Sequence, residues 1–357
     1  MSNPAINAYF DRRSLGETIF RRRSVPRFLL QAVFNLAGAR AHDTDILERD
    51  IVVLGRRMAP IITNLTNIPV AKKNSRGKLM FKIPMIGLKS VHKAEDVFKT
   101  KVGQTAYDPE NAVNAAATAY MDSLAPLEDA IQMREEWYAA MLLRDGKVTV
   151  SGTDEEGSLI EFEIDFMRDA SLKISLLGSA QWGQDGVSPY NDTKGWRAEQ
   201  ATIDNRATDV IFGSNAINDF LEDPKTLKLL DIKNANFGTI KPETIEAYGS
   251  DVTYYGELPE IGHIWSYSGL FVDDDGNTDS LIHPNAVVMF KRGTENSVDY
   301  GGVAYIDDGG NTFVDQQARS YSMLVNKEAG AKFDILKSKP MPGLWSPNTT
   351  MYIMTKE

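Results

Sequence analysis

The chain has 357 residues, 42 % of them hydrophobic and 25 % charged, with no cysteine and a formal net charge of −10. That length suits two or three compact units around real cores. The missing cysteines exclude disulfides, thiolate catalysis and Cys-ligated zinc or iron–sulfur sites, and a cytosolic folding compartment fits better than a secreted one. Charge is uneven: residues 1–107 hold 19 Lys+Arg against 8 Asp+Glu, and the rest holds 20 against 41. A basic first third joined to an acidic remainder suggests an anionic partner or head-to-tail association between copies, the alternative being ordinary surface charge that happens to be skewed. No run reaches the roughly 18 apolar residues of a membrane span. Arg21-Arg22-Arg23 ahead of Phe28-Leu29-Leu30 has the outline of a secretion signal. Gln31 and Asn35 interrupt the apolar stretch and Arg27 edges it, so export is not expected.

Residues 1–27 carry Arg12, Arg13, Arg21, Arg22, Arg23 and Arg27 with little apolar periodicity, which predicts an arm of marginal order on its own. Residues 28–37 place Phe28, Leu29, Val33, Phe34 and Leu36 on one face of a short amphipathic helix. From 51 to 107, Gly55, Pro60, Pro69, Gly77, Pro84 and Gly87 punctuate short extended runs. This predicts a long two-stranded ribbon with a basic tip at Lys72, Lys73, Arg76 and Lys78. Such a ribbon is unstable alone in water, so its packing partner is expected on another chain.

Asp108-Pro109-Glu110 opens the longest helical pattern, with Pro in the first turn and acids at the positive end. Tyr120, Leu124, Leu127, Ile131, Tyr138 and Met141 recur close to a 3.6 period until Asp145-Gly146. Pro126 is expected to kink or divide the helix. Continuous, 110–144 would span about 50 Å, an architectural beam. A hairpin follows, Val148–Gly152 with Leu159–Met167, in which Ile160, Phe162, Ile164 and Phe166 alternate with Glu161, Glu163 and Asp165. Residues 194–206 look helical, and Val210-Ile211-Phe212-Gly213 reads as a buried strand entering further helix. Short strands alternate with turns over 251–305, and closing strands are expected near 320–326, 332–336 and 350–354.

No phosphate-binding loop, dinucleotide fingerprint, nucleophile elbow or zinc-protease motif is present. His42-Asp43-Thr44-Asp45 reads as capping residues beside a helix end rather than as ligands. A calcium loop starting at Asp273 would need Gly at its sixth position and Glu at its twelfth, where Thr278 and Pro284 stand. It reads as a solvated hairpin turn. The acids of 161–165 read as a solvent face. Trp182 and Trp196 read as anchors of an irregular loop rather than a stacking site. No catalytic, cofactor or metal residue is assigned.

The order of elements, taken with several local matches, resembles the lambda-like major capsid proteins of tailed bacteriophages. The matches begin with Pro26-Arg27-Phe28-Leu29-Leu30 through Phe34, then Thr44, Ile46, Asp50 and Met58-Ala59-Pro60. They continue with Glu128 to Gly146 and Lys147-Val148-Thr149-Val150, then Ala247-Tyr248-Gly249 and Val252-Thr253-Tyr254-Tyr255. His283-Pro284-Asn285-Ala286-Val287-Val288-Met289, Arg319-Ser320-Tyr321 and Ser338-Lys339-Pro340-Met341-Pro342 complete them. The resemblance covers roughly 26–357, and the arginine-rich start departs from it.

The resemblance implies an α+β, Hong Kong 97-type phage capsid fold. Its parts would be an N-terminal arm and short helix (1–50), an extended E-loop ribbon (51–107) and a P domain with spine helix and hairpin (108–206). An A domain (207–318) and C-terminal strands returning to the P domain (319–357) would complete it. It further implies a non-enzymatic major capsid protein that assembles itself, as hexamers and pentamers, into an icosahedral head shell around double-stranded DNA. The expected setting is the virion, after assembly in the bacterial host cytoplasm and procapsid maturation. Expected partners are scaffold, portal and often a decoration protein, with non-specific contact to packaged DNA and no membrane or cofactor. Within that picture the ribbon tip (Lys72, Lys73, Arg76, Lys78) contacts neighbouring subunits, and Arg12, Arg13, Arg21, Arg22 and Arg23 form the basic cluster of the arm. Three other readings have distinct signatures. An enzyme would show a deep pocket with shifted titrations. A DNA-binding protein would bind duplex as a low-order species with a steep salt dependence. A tail or other phage structural protein would not close shells.

Overall fold

The structure, a computed structural model, describes residues 25, 27–52, 76–93, 109–153, 159–231, 239–244, 251–258, 260–273, 276–306, 312–326 and 330–356. Helix α1 (Phe28–Ala32) is shorter than the predicted 28–37 and is not one-faced, because Phe28, Leu29, Leu30 and Ala32 are all buried. The chain leaves it through Asn35, at φ 44°, into a single 3-10 turn over Leu36–Gly38. Phe28 packs between Trp265 and Tyr267, with ring centroids 5.5 and 5.4 Å away.

Helix α2 (Pro109–Asp145) is the predicted beam, and it runs unbroken through Pro126. Pro126 is exposed while Leu124, Ala125 and Ile131 on either side are buried, so packing holds the turn that lacks one backbone hydrogen bond. The helix stops at Gly146, whose φ of +72° favours glycine. Its N–H donates to the Leu142 carbonyl at 2.8 Å. The Arg168 guanidinium donates to the carbonyls of Leu143 and Arg144 at 2.6 and 2.7 Å, placing a cation at the negative helix end.

Three further helices follow, α3 (Pro189–Ile203), α4 (Ser214–Glu222) and α5 (Pro224–Asp231). They accompany a seven-stranded sheet in the order Lys173–Ser175, Thr350–Met354, Ala286–Phe290, Asp209–Phe212, Gly262–Tyr267, Val252–Leu258, Thr239–Thr244. Side chains alternate across a strand, and here both faces are covered. Ile211, Trp265, Ala286, Val288, Phe290 and Tyr352 join the core that contains α1 and the end of α2. Val210, Phe212, Ile264, Val287, Met289 and Ile353 join a second core with Trp182, Trp196 and Phe220. Burial on both faces explains the unbroken apolar runs at 210–212 and 286–290, which a one-faced strand would not show.

Asp223 holds α3 and α5 together. Its carboxylate accepts from the Lys225 N–H at 3.0 Å as the cap of α5, and from the Tyr190 N–H at 2.9 Å in the first turn of α3. These bonds keep its acidity above that of an ordinary aspartate despite burial. Asp223→Ala is expected to cost about 1–2 kcal/mol in urea unfolding, the worth of a helix cap.

The ribbon differs from expectation in three ways. It begins at Ile46 rather than 51, pairing strand Ile46–Val52 with Arg76–Lys82 so that Ile46 faces Lys82 and Val52 faces Arg76. Its base also packs on its own chain. Leu47 and Leu79 are buried, Phe81 lies 5.8 Å from Phe166, and Arg49 sits 4.3 Å from the Trp345 ring. Finally, strand Ile86–Lys93 leaves the ribbon and pairs with Ala331–Ser338 beside Ser320–Asn326. Buried Ile83 and Pro84 mark that departure, with the Ile83 N–H on the Asp45 carbonyl at 2.8 Å. Beyond Ile46 the ribbon offers no partner strand, so the chain joins the next open edge.

Candidate functional site

Along α2, Glu128, Glu135 and Glu136 lie on the buried stripe that also carries Ile131 and Tyr138. Carboxylates can stand there only because cations and donors arrive from distant segments. The Arg319 Nε donates to both oxygens of Glu128 at 3.0 and 2.9 Å, and its Nη1 donates to Glu135 at 2.7 Å. Arg27, one residue before α1, pairs with the other Glu135 oxygen. Glu136 accepts the N–H groups of Leu29 and Leu30 at 2.7 and 3.2 Å and so caps α1 from another element. The Tyr267 hydroxyl donates to it at 3.3 Å. Full burial nevertheless pushes the Glu136 carboxyl up to about 7. Arg319 is held strongly protonated by its two glutamates, which outweigh its own burial. This cluster ties the start of the chain and the start of the C-terminal hairpin to the beam.

A second feature lies at the ribbon base. An open groove of about 790 Å³ is lined by Asp43, Thr44, Asp45, Ile46, Glu48, Gly302, Ala304, Val314 and Lys339. One wall is the ribbon, and the other is the hairpin of Val303–Ile306 and Thr312–Asp315.

Of the predicted ribbon contacts, Arg76 and Lys78 lie on strand Arg76–Lys82. Lys78 pairs across the ribbon with Glu48 at 2.7 Å, so part of the basic excess meets acid within its own chain. Lys72, Lys73 and the arm residues Arg12, Arg13, Arg21, Arg22 and Arg23 lie outside the described residues. His42 and its neighbours do not flank a helix. They link strand Arg40–Ala41 to the ribbon, and His42 Nε2 is 3.0 Å from buried Asp299. Strands Leu270–Val272 and Thr278–Ser280 pair antiparallel, and beside them the Asn277 N–H donates to Asp273 Oδ1 at 2.7 Å. Trp182 and Trp196 stack 5.8 Å apart, with the Trp182 indole N–H on Asp192, and so anchor a loop. Glu161, Glu163 and Asp165 are exposed. Among the described residues no three His, Cys, Asp or Glu are grouped to hold a metal ion, and no helix is long and apolar enough to cross a membrane.

The chain, with its two-faced sheet, long beam helix and paired ribbon strands, has the Hong Kong 97-type phage capsid fold, as matches to solved structures show. The protein assigned as the capsid protein of a prophage in E. coli CFT073 superposes with a TM-score of 0.68 at 17 % identity, over 96 % of this chain and 98 % of that one. A phage-related protein from Bordetella bronchiseptica RB50 gives 0.51 at 12 % identity, over 96 % of each chain. No curated protein sequence matches the chain. The family model for phage major capsid protein E matches residues 11–354, and the chain belongs to that family. It is a shell-forming capsid protein of a phage virion.

Proposed function

We propose that this chain builds the icosahedral head of a tailed phage as hexamers and pentamers enclosing double-stranded DNA. The observation that carries this reading is the family match over 11–354. The role is geometric, with no catalytic residue. The arm and short helix (1–45), a ribbon opened by Ile46–Val52 and Arg76–Lys82, the P domain (108–206), the A domain (207–318) and the closing strands (319–357), with Ile86–Lys93 paired to them, are proposed as its working parts. Scaffold, portal and a decoration protein are proposed partners, with assembly in the host cytoplasm. The arginines of the arm are proposed to meet packaged DNA or a neighbour. Lys72, Lys73, Arg76 and Lys78 are proposed to contact a neighbouring subunit.

Negative-stain microscopy of the purified chain is expected to show capsomers or closed shells. A strictly monomeric species in sedimentation, across salt and protein concentration, would overturn the reading.

A further inference from the structure

Two surfaces at different points of the beam complement one another. The first is the outer face of the sheet formed by Ser320–Asn326, Ala331–Ser338 and Ile86–Lys93. Its inner face carries Tyr321 and Leu336, which pack with Leu124 and Ile131 of α2. Side chains alternate along a strand, so Lys89, Val91, Leu324, Phe333 and Lys337 lie on the other face. Val91, Phe333 and Leu324 stand opposite one another on the three strands, an apolar row with Val91 45 % and Leu324 58 % exposed. Lys337 lies over Gly87, where a Cβ would come 3.4 Å from the lysine stem, and the Lys89 ammonium is 5.7 Å from the Phe333 ring centroid. Among the described residues neither lysine meets a carboxylate. Asp334, the one acid on these strands, is buried on the inner face with His92 and Tyr321.

The second surface is the outer face of the hairpin that pairs Lys147–Thr153 with Leu159–Asp165. Val148 and Ile164 are buried with Leu142 and Leu143 at the end of α2, which leaves Glu161, Glu163 and Asp165 turned to solvent. Lys147, paired with Glu163 at 2.8 Å, answers one of these three charges. Met167 follows the row at φ 57° and is 62 % exposed. One surface thus offers two cations beside an apolar row. The other offers two uncompensated carboxylates beside a methionine, a side chain suited to aromatic contact.

These surfaces do not meet within one copy. The beam runs unbroken from Ile131, against the sheet, to Asp145, where the hairpin begins, fourteen residues or about 21 Å. A contact between unlike faces of successive copies is head-to-tail, and it forms a ring when the rotation closes.

We propose that the three-stranded sheet of one subunit receives the acidic hairpin of the next, with Lys89 and Lys337 at Asp165 and Glu161, and Met167 on the row of Val91, Phe333 and Leu324. This rests on the proposed assembly into hexamers and pentamers, and it names two surfaces that meet there. A nucleic acid would answer the lysines but leave the apolar row in water, whereas a second copy covers both.

Charge reversal reads the contact. Lys89→Glu with Lys337→Glu is expected to slow shell assembly, followed by light scattering, roughly tenfold or more, and Glu161→Lys with Asp165→Lys to do the same. All four together are expected to restore it, and far-ultraviolet circular dichroism confirms that each unassembled subunit is folded. Because the chain has no cysteine, a second measurement stands apart from assembly rates. Copies carrying Lys89→Cys, mixed with copies carrying Asp165→Cys, are expected to join through a short bismaleimide as mixed dimers. Copies carrying both are expected to give a ladder ending at the pentamer or hexamer. Shells of the mixed copies without mixed dimers would overturn the proposal. So would one reversal blocked and the other normal, the result expected if DNA or another protein covers the sheet, and so would two blocked reversals without rescue. Native rates for both reversals would overturn this contact and leave shell assembly standing. A native chain that stays monomeric would remove both.

Discussion

Replacing Arg319 by alanine is expected to destabilise the unassembled subunit by about 3–5 kcal/mol in urea unfolding, the cost of leaving buried charge unpaired. The guanidinium is 5 % exposed and holds Glu128 and Glu135, whose side chains are 10 % and 0 % exposed. Its Nη1 also donates to the Ser338 hydroxyl at 3.2 Å and the Ala318 carbonyl at 3.0 Å. After truncation Glu128 keeps one donor, the Gln132 amide at 2.8 Å, and Glu135 keeps Arg27. Glu128 would then lose its guanidinium and only Glu135 would keep one, in a largely buried site. Arg319→Lys should recover only part of the loss, since an ammonium cannot reproduce the planar fork that reaches two glutamates at once. Because Arg319 starts the segment that enters strand Ser320–Asn326, the variant should also free the C-terminal hairpin from the beam and reduce shell yield. A loss below about 1 kcal/mol would place these carboxylates in contact with water and remove the argument.

The cluster was hidden in the sequence for a physical reason. Its members are 108, 184 and 191 residues apart, and no local spacing links Arg27 or Arg319 to the beam. One signal was available: Glu128 and Glu135 fall at helical spacing within the apolar stripe of Leu124, Ile131 and Tyr138. A carboxylate in a buried stripe demands a distant cation. By contrast, the beam, the hairpin after it and the strand at 209–212 were readable because their signals are local: a Pro–Gly boundary, strict alternation, an unbroken apolar run. The ribbon was half readable. Extended residues at 46–52, 76–82 and 86–93 look alike in composition, and a strand's partner depends on which edge lies open in the fold. Strand Ile86–Lys93 was therefore expected in the ribbon and is found beside Ala331–Ser338. The packing of the ribbon base was missed likewise, since Phe81 finds Phe166 and Trp345 only through tertiary folding.

Stability of the subunit is expected to fall by about 2 kcal/mol through Glu136 alone between pH 5.5 and pH 8.5. The beam brings three glutamates, Glu128, Glu135 and Glu136, to a buried site served by two guanidiniums, those of Arg27 and Arg319. One negative charge is in excess there, and burial places the missing proton on Glu136. The Leu29 and Leu30 N–H groups, the Arg27 charge and the Tyr267 hydroxyl all favour the ionised form, yet desolvation outweighs them and the carboxyl is pushed up to about 7 from 4.5. The folded subunit therefore binds this proton more tightly than the unfolded chain. The corresponding stabilisation is complete below about 4.5 and is lost as pH rises through about 7. Above that, the ionised carboxylate is held away from water, and α1, whose opening would hydrate it, should be the first element to loosen. Glu136→Gln removes the titration while keeping one oxygen for the Leu29 N–H, so its stability should differ between the two pH values by about 2 kcal/mol less than that of the native chain. Urea midpoints of both chains at pH 5.5 and 8.5, read by tryptophan fluorescence, decide the matter. Trp265 lies 5.5 Å from Phe28 and so reports on α1 directly. Parallel pH dependence in the two chains would mean that Glu136 titrates as an ordinary glutamate and that the excess charge is neutralised elsewhere in the cluster.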